Sequence, residues 1–244
     1  MTASKVGCIS TMQIKKLRLL FCIVFDLHYL CIGKGTLKVV FMFEIIQKYF
    51  TLNEVQEGQI RALDALYREW NGKINVVSRK DIDNLYEHHV LHSLAIASLI
   101  SQQKAGLKVL DLGTGGGFPG IPLAIMYPDY RFKLIDSIGK KVRVAQAIGN
   151  AIGLKNCEYA HLRAQEDKEK YDITVSRAVM DLSELLKIVR SKCKTLICLK
   201  GGNVEEEVAK AHSVMPNLNF TITPISDYFD EEWFKEKYVV ACKL

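Results

Sequence analysis

The chain is poor in proline, with 5 residues in 244, and its 16 glycines are ordinary for this length. Collagen-like and Pro-rich low-complexity classes are thereby excluded. No two of the seven cysteines, at 8, 22, 31, 157, 193, 198 and 242, have the C-x-x-C spacing of a zinc or thioredoxin site. Their number is odd, so reduced thiols in a cytosol are the simplest reading. Long apolar runs are missing as well. Leu19 to Phe25 is interrupted by Asp26 and His28 after seven residues, against the roughly 20 that cross a bilayer. No internal repeat or low-complexity linker is present. What remains is 49% hydrophobic and 25% charged, the composition of a folded globular chain.

Charge is in excess at one end only. The formal net charge is +6, but Lys5, Lys15, Lys16, Arg18, Lys34 and Lys38 stand against Asp26 alone in residues 1–41. From Met42 onward 27 basic groups face 26 acidic ones. Bulk charge therefore says little about a nucleic-acid partner, and such an expectation has to rest on motifs. The basic cluster at 15–18 followed by Leu19 to Phe25 has the shape of the first two regions of a signal peptide, yet no A-x-A site follows. Residues 1–41 are expected to be a weakly specified extension, with Met42 the natural start.

From Met42 the periodicity is helical. Val55, Ile60, Leu63, Leu66, Tyr67 and Trp70 recur mostly at three and four, behind a capping Asn53. A second helix is expected from Asp81 to about Gln103. Strand-like runs follow at 108–112, 131–136, 157–162, 171–176, 195–199, 219–224 and 238–243, with helices at 119–126, 140–152, 182–191 and 205–214. Short apolar strands alternating with helices predict an α/β, Rossmann-like, mostly parallel sheet. The last two runs lack a helix between them and predict an antiparallel hairpin at one edge. The expected organisation is an extension (1–41), a helical cap (42–107) and a core (108–244).

The site signal lies at the first strand-to-helix turn, Asp111-Leu112-Gly113-Thr114-Gly115-Gly116-Gly117-Phe118-Pro119-Gly120. Its glycines allow positive φ and close approach of a ligand to the backbone. No G-x-x-x-x-G-K-[ST] exists, and the strict dinucleotide fingerprint does not begin at Gly113. A carboxylate just before the turn, Asp111, would repel a pyrophosphate and suits a ligand bearing a sulfonium. Asp136 ends the second strand, where it can accept ribose hydroxyls of either cofactor. The pattern favours S-adenosyl-L-methionine, with NAD as the alternative.

The set Trp70-Asn71, Asn75, His89-Val90-Leu91-His92-Ser93-Leu94, the glycine-rich turn continued through Ile121-Pro122, Asp136-Ser137, Arg163-Ala164-Gln165, Ser176-Arg177-Ala178 and Lys200-Gly201 resembles the bacterial small-subunit ribosomal RNA methyltransferase G family. The likeness runs from about residue 43 to the C-terminus. It implies a class I methyltransferase fold and methyl transfer from S-adenosyl-L-methionine to guanine N7 in 16S ribosomal RNA or its small-subunit particle. A cytoplasmic monomer without membrane or metal is the implied setting. Position by position, Gly113, Phe118, Ala164, Gln165 and Arg177 match the family's cofactor contacts. Two positions depart: the family often has Glu at Gln165 and Asp at His92.

The implied chemistry is consistent with what is missing. An Asn/Asp-Pro-Pro-aromatic segment, which goes with exocyclic amine methylation, is replaced after the fourth strand by Ser176-Arg177-Ala178. No cysteine occupies that turn, as pyrimidine C5 methylation requires. Guanine N7 has an in-plane lone pair and no proton to lose, so positioning and desolvation suffice, and no general base is assigned. Bland readings stand beside these: Phe118 as a core contact, Arg177 in a structural ion pair, Trp70-Asn71 as a helix end. His88, His89 and His92 have spacings that put two on one helical face, but no further metal ligand accompanies them. An NAD(P)-dependent oxidoreductase and a non-catalytic RNA-binding assembly factor are the rival functions.

Overall fold

A capped helix opens the part of the chain that positions the site. In the computed structural model, which describes residues 43–100, 105–177 and 180–244, α1 spans Glu54–Asn71. Asn53 Oδ1 accepts from the Gln56 N–H at 2.9 Å, and Gln56 Oε1 accepts from the Asn53 N–H at 3.1 Å. This reciprocal cap satisfies two otherwise orphaned donors. Ile60, Leu63 and Tyr67 form the buried face. Val55, counted with them in the sequence pattern, is 68% exposed and lies on the solvent side.

The continuous helix expected after Asp81 is broken into pieces. A 3-10 turn (Ile82–Asn84) passes into a π-helical segment (Leu85–Leu91), then α2 (His92–Leu94) and α3 (Ala97–Ile100). Ser93 Oγ donates to the His89 carbonyl at 2.5 Å, and Ser98 Oγ to the Ala95 carbonyl at 3.0 Å. Such side-chain bonds compete with the helical ladder and bend it. The predicted end at Gln103 and the extension over 1–41 lie outside the described residues.

The strands are β1 (Lys108–Leu112), β2 (Arg131–Asp136), β3 (Cys157–His161), β4 (Tyr171–Arg177), β5 (Cys193–Gly201), β6 (Phe220–Pro224) and β7 (Lys237–Lys243). Between them lie α4 (Gly120–Met126), α5 (Gly139–Ala151), α6 (Leu182–Val189) and α7 (Val204–Val214). Their order across one sheet is β3-β2-β1-β4-β5-β7-β6, with β7 antiparallel to both neighbours and the rest parallel. The expected edge hairpin of β6 and β7 is present, with β7 lying between β5 and β6 so that β6 forms the edge. Leu182, Leu185, Leu186 and Val189 of α6 pack with Leu110 and Leu112 of β1 in a buried core cluster. Burying each such side chain contributes about 1.5–3 kcal/mol. The chain leaves β1 toward β2 and β3 on one side, while β4 and β5 lie on the other. A crevice must open at the carboxyl ends of β1 and β4, where the order reverses. Described residues 43–244 belong to one compact unit, Met42–Leu244.

Candidate active site

The β1–α4 turn is held from below by two carboxylates. Asp111 Oδ2 accepts from Thr114 Oγ1 at 2.6 Å and from the Gly120 N–H at 2.8 Å. Asp136 Oδ2 accepts from the Gly115 N–H at 2.9 Å, and its Oδ1 from the Ile138 N–H at 2.8 Å. Gly113, Gly115 and Gly117 have φ of 73°, 56° and 112°, conformations that side chains resist. The turn is thus a glycine cradle pinned at both ends, and each Asp136 oxygen keeps a further lone pair for a hydroxyl.

Asp111 does not stand where the sequence argument put it. It is fully buried beneath the turn, with Oδ2 engaged and Oδ1 lacking a hydrogen-bond partner among the described residues. Burial pushes its pKa up to about 7, against the pull of Thr114, Gly120 and Arg177. A carboxyl so near neutrality is a brace, and its charge is a poor discriminator between a sulfonium and a pyrophosphate. Because the folded pKa lies above the unfolded one, Asp111 costs stability progressively as pH rises from about 4 to about 7. Chemical denaturation of Asp111→Asn beside the unmutated protein is expected to show their stability difference moving in favour of the variant over that window. A pH-independent difference would refute the assignment.

Phe118 is 2% exposed, so the core-contact reading of its ring holds. Tyr67 stacks on it at 4.7 Å and 24°, the His89 ring lies 5.2 Å away, and the Arg177 guanidinium sits over it at 4.9 Å. Tyr67 Oη donates to the Gly116 carbonyl at 2.8 Å, tying the cradle to α1. Arg177 ends β4, two residues past Val175, the register partner of Asp111. Burial draws its pKa down to about 10, opposed by Asp111, Tyr67 and Asp81. It makes no ion pair of hydrogen-bonding length among the described residues, so the structural-pair reading fails.

Ala164 and Gln165 stand in the turn after β3, whose last residue, His161, is in register with Asp136. Ala164 packs on the core cluster of α6 and β1 and Gln165 is exposed. All six expected cofactor positions therefore border the carboxyl edge of the sheet. Ala178 lies outside the described residues. Asn71 is more than a helix end: its Oδ1 accepts from the Val76 and Val77 N–H groups at 2.8 and 3.0 Å. That fixes Val76 against Gly116, where an added Cβ would meet it at 2.8 Å. Lys200 Nζ donates to the Met180 carbonyl and to Glu207, anchoring the segment that follows β4. Tyr67 and Asp81 were missed as site residues; their role appears only once α1 and the segment after it fold over the turn.

The histidines do not behave as the helical spacing suggested. Adjacent His88 and His89, and not a pair three or four apart, share one partner, Asp81, while His92 is buried near Trp233 and Phe234. Among the described residues no group of three or more His, Cys, Asp or Glu could hold a metal ion, and no helix is long and apolar enough to cross a membrane.

The family model for rRNA small subunit methyltransferase G matches residues 56–226. The chain belongs to this family. It is 55% identical over 212 residues to the ribosomal RNA small subunit methyltransferase G of Bacteroides thetaiotaomicron, covering 82% of this chain and 100% of that one. The protein of the same name from Porphyromonas gingivalis is 52% identical over 213 residues, covering 82% and 93%. A solved structure of a MtNAS mutant in complex with S-adenosylmethionine aligns with a TM-score of 0.53 at 10% identity, over 78% of this chain and 76% of that one. That likeness concerns the fold alone. The methyltransferase has the class I fold that its motif order implied, and family membership decides between S-adenosylmethionine and the nicotinamide alternative where Asp111 does not.

Proposed function

We propose that this methyltransferase moves the methyl group of S-adenosylmethionine to N7 of a guanine in 16S ribosomal RNA, in the cytoplasm, on the RNA or its small-subunit particle. The observation that carries the proposal is the family match over 56–226, joined to a glycine cradle at the carboxyl edge of β1. The residues present fit the cofactor: Gly113 and Gly115, at positive φ, are half-buried, with open space beside Gly115, and Asp136 retains acceptor capacity for ribose hydroxyls. S-adenosylmethionine, when bound, supplies an electrophilic methyl on a sulfonium. Guanine N7 would accept that methyl through its in-plane lone pair, so the chain need hold no proton acceptor for the transfer. No proton leaves before attack, so the chain's part is to bind, orient and exclude water. Asp136 and the Ala164–Gln165 turn would hold the nucleoside end, and Phe118 and Arg177 the wall toward β4.

RNA would meet exposed cations around the same edge. Lys140 lies in the first turn of α5 after β2, Arg163 follows β3, and Arg79 and Lys80 lie beyond the Val76 loop; none forms a salt bridge among the described residues. Such groups suit phosphate contacts, which orient RNA without reading its sequence. The test is a map of 7-methylguanosine in 16S RNA from cells with and without this gene. One modified guanine is expected in the first map and none at that position in the second. Identical maps would leave the chain an assembly factor without this activity.

A further inference from the structure

Around Arg177 three buried side-chain atoms lack hydrogen-bond partners among the described residues, His89 Nδ1, His92 Nε2 and Asp111 Oδ1; of the two rings, His89 lies against Phe118, the ring under Arg177, and His92 against Trp233 and Phe234. Arg177 acts electrostatically on all three residues. Its guanidinium carries five donors, yet it rests on the Phe118 ring and meets Asp111, Tyr67 and Asp81 only through longer-range charge. The pocket therefore holds unused acceptors next to unused donors.

The state of His89 is set from outside the pocket. Its Nε2 lies 2.7 Å from Asp81 Oδ2, while His88 Nδ1 lies 2.5 Å from Asp81 Oδ1. Burial pushes the Asp81 carboxyl up, but the hydrogen bonds of His88 and His89 outweigh it and hold the group below its ordinary value. An ionised carboxylate only accepts, so His89 Nε2 must carry the proton. Burial, then Arg177, brings the His89 pKa down to about 4, so the ring is neutral and Nδ1 keeps its lone pair. The backbone is adapted to this. Two adjacent side chains on an α-helix diverge, whereas the wider π-helical turn over Leu85–Leu91 lets His88 and His89 reach one carboxylate. His88 also stacks on Trp233 at 4.1 Å and 12°, so Asp81 ties the β6–β7 connection to the wall of the pocket.

We infer that His89, set by Asp81, is a positioning residue for methyl transfer: its Nδ1 is the acceptor that steers the Arg177 guanidinium at the end of β4. The inference rests on the methyltransferase reading above. A ring that merely packs on Phe118 predicts a different order of variants from a ring that offers an acceptor. His89→Asn replaces the ring but can place an amide oxygen near the Nδ1 position; His89→Phe keeps the ring and removes the acceptor.

The full chain is assayed for methyl transfer from labelled S-adenosylmethionine to small-subunit particles that lack the modification. His89→Phe is expected to lower kcat about 10- to 100-fold, the range for residues that orient a functional group, with a smaller change in KM for the methyl donor. His89→Asn is expected to retain most of the activity. Asp81→Asn is expected to follow His89→Phe, and Asp81→Glu to recover part of the loss. His89→Phe more active than His89→Asn overturns the inference. Nitrogen-15 spectra give a readout independent of turnover. The unmutated His89 ring is expected to be neutral with its proton on Nε2, and the Arg177 guanidinium resonances are expected to shift in His89→Phe but not in His89→Asn. A proton on Nδ1, or Arg177 resonances indifferent to both changes, overturns the inference even if every variant is inactive. Absence of methyl transfer by the unmutated chain would count against the functional reading alone, because the spectra still decide the contact.

Discussion

Replacing Gly120 with alanine is expected to abolish methyl transfer and lower the thermal midpoint. A Cβ at this position would lie 2.5 Å from Asp111 Oδ2 and 2.8 Å from both Cγ and Cδ2 of Leu134. Neither neighbour can yield easily, since Leu134 is fully buried and Asp111 Oδ2 is held by Thr114 and by the Gly120 N–H itself. Overpacking of this kind costs about 1–3 kcal/mol, or roughly 2–12 °C at about 2–4 °C per kcal/mol for a chain of this size. The displaced carboxyl would also release the lower end of the cradle. Gly58→Ala is the matched control, because nothing lies within 4 Å of a Cβ there. That change, inside α1, should be stabilising by about 0.5–1 kcal/mol. Scanning calorimetry of both variants checks the pair; a Gly120→Ala protein as stable and active as its parent would show that Asp111 does not hold the turn.

Much of the architecture was legible because its signals are local. Asn53 capping α1 is one such signal. Mostly apolar runs such as Val109 to Leu112, broken by Asp111, and Phe132 to Ile135, broken by Lys133, are others, since a strand covered on both faces is rich in hydrophobic residues. The run after Asp81 was misread for the opposite reason. Its apolar spacing is helical, but Ser93 bonding to the His89 carbonyl and a carboxylate gripping two neighbouring histidines are interactions that periodicity does not encode. Insertion of β7 between β5 and β6 was equally hidden, because a hairpin pattern says that two strands pair without saying which of them meets the parallel sheet.

The site divides in the same way. The glycine-rich turn and Asp136 could be placed at the carboxyl edge from the strand pattern, since the carboxyl ends of parallel strands converge on one edge. The function of Asp111 could not. Its position before the turn suggested a charge facing a ligand, and only the packing shows a buried carboxyl bracing Thr114 and Gly120. Tyr67 is a further case: in sequence it is one of several apolar positions on α1, in the fold its hydroxyl donates to Gly116 while its ring covers Phe118. Family resemblance supplied Phe118, Ala164, Gln165 and Arg177 as cofactor contacts, for which spacing alone gave no reason.

Arg177→Met is expected to fold normally and to lose both cofactor affinity and turnover. The guanidinium lies mostly out of water, over the Phe118 ring, without a hydrogen-bonded acidic partner among the described residues, and a desolvated charge of that kind adds little to stability. Methionine keeps an unbranched apolar stem against Phe118 while removing the charge and all five donors. Hydrogen bonds from a charged group are worth about 1.5–3 kcal/mol, so the dissociation constant for S-adenosylhomocysteine should rise roughly 10- to 150-fold at about 1.4 kcal/mol per decade. Asp111 should respond too. With the favourable charge of Arg177 gone, its pKa should move further above about 7, carrying the pH window described above to higher values. Arg177→Lys separates charge from shape. Lysine restores a point charge without the planar fork that lies over the Phe118 ring at 4.9 Å. If the Asp111 window returns in Arg177→Lys while turnover does not, the contribution of Arg177 is the orientation of its plane. Full recovery by lysine would reduce it to electrostatics, and an unchanged S-adenosylhomocysteine titration in Arg177→Met would remove it from the cofactor site.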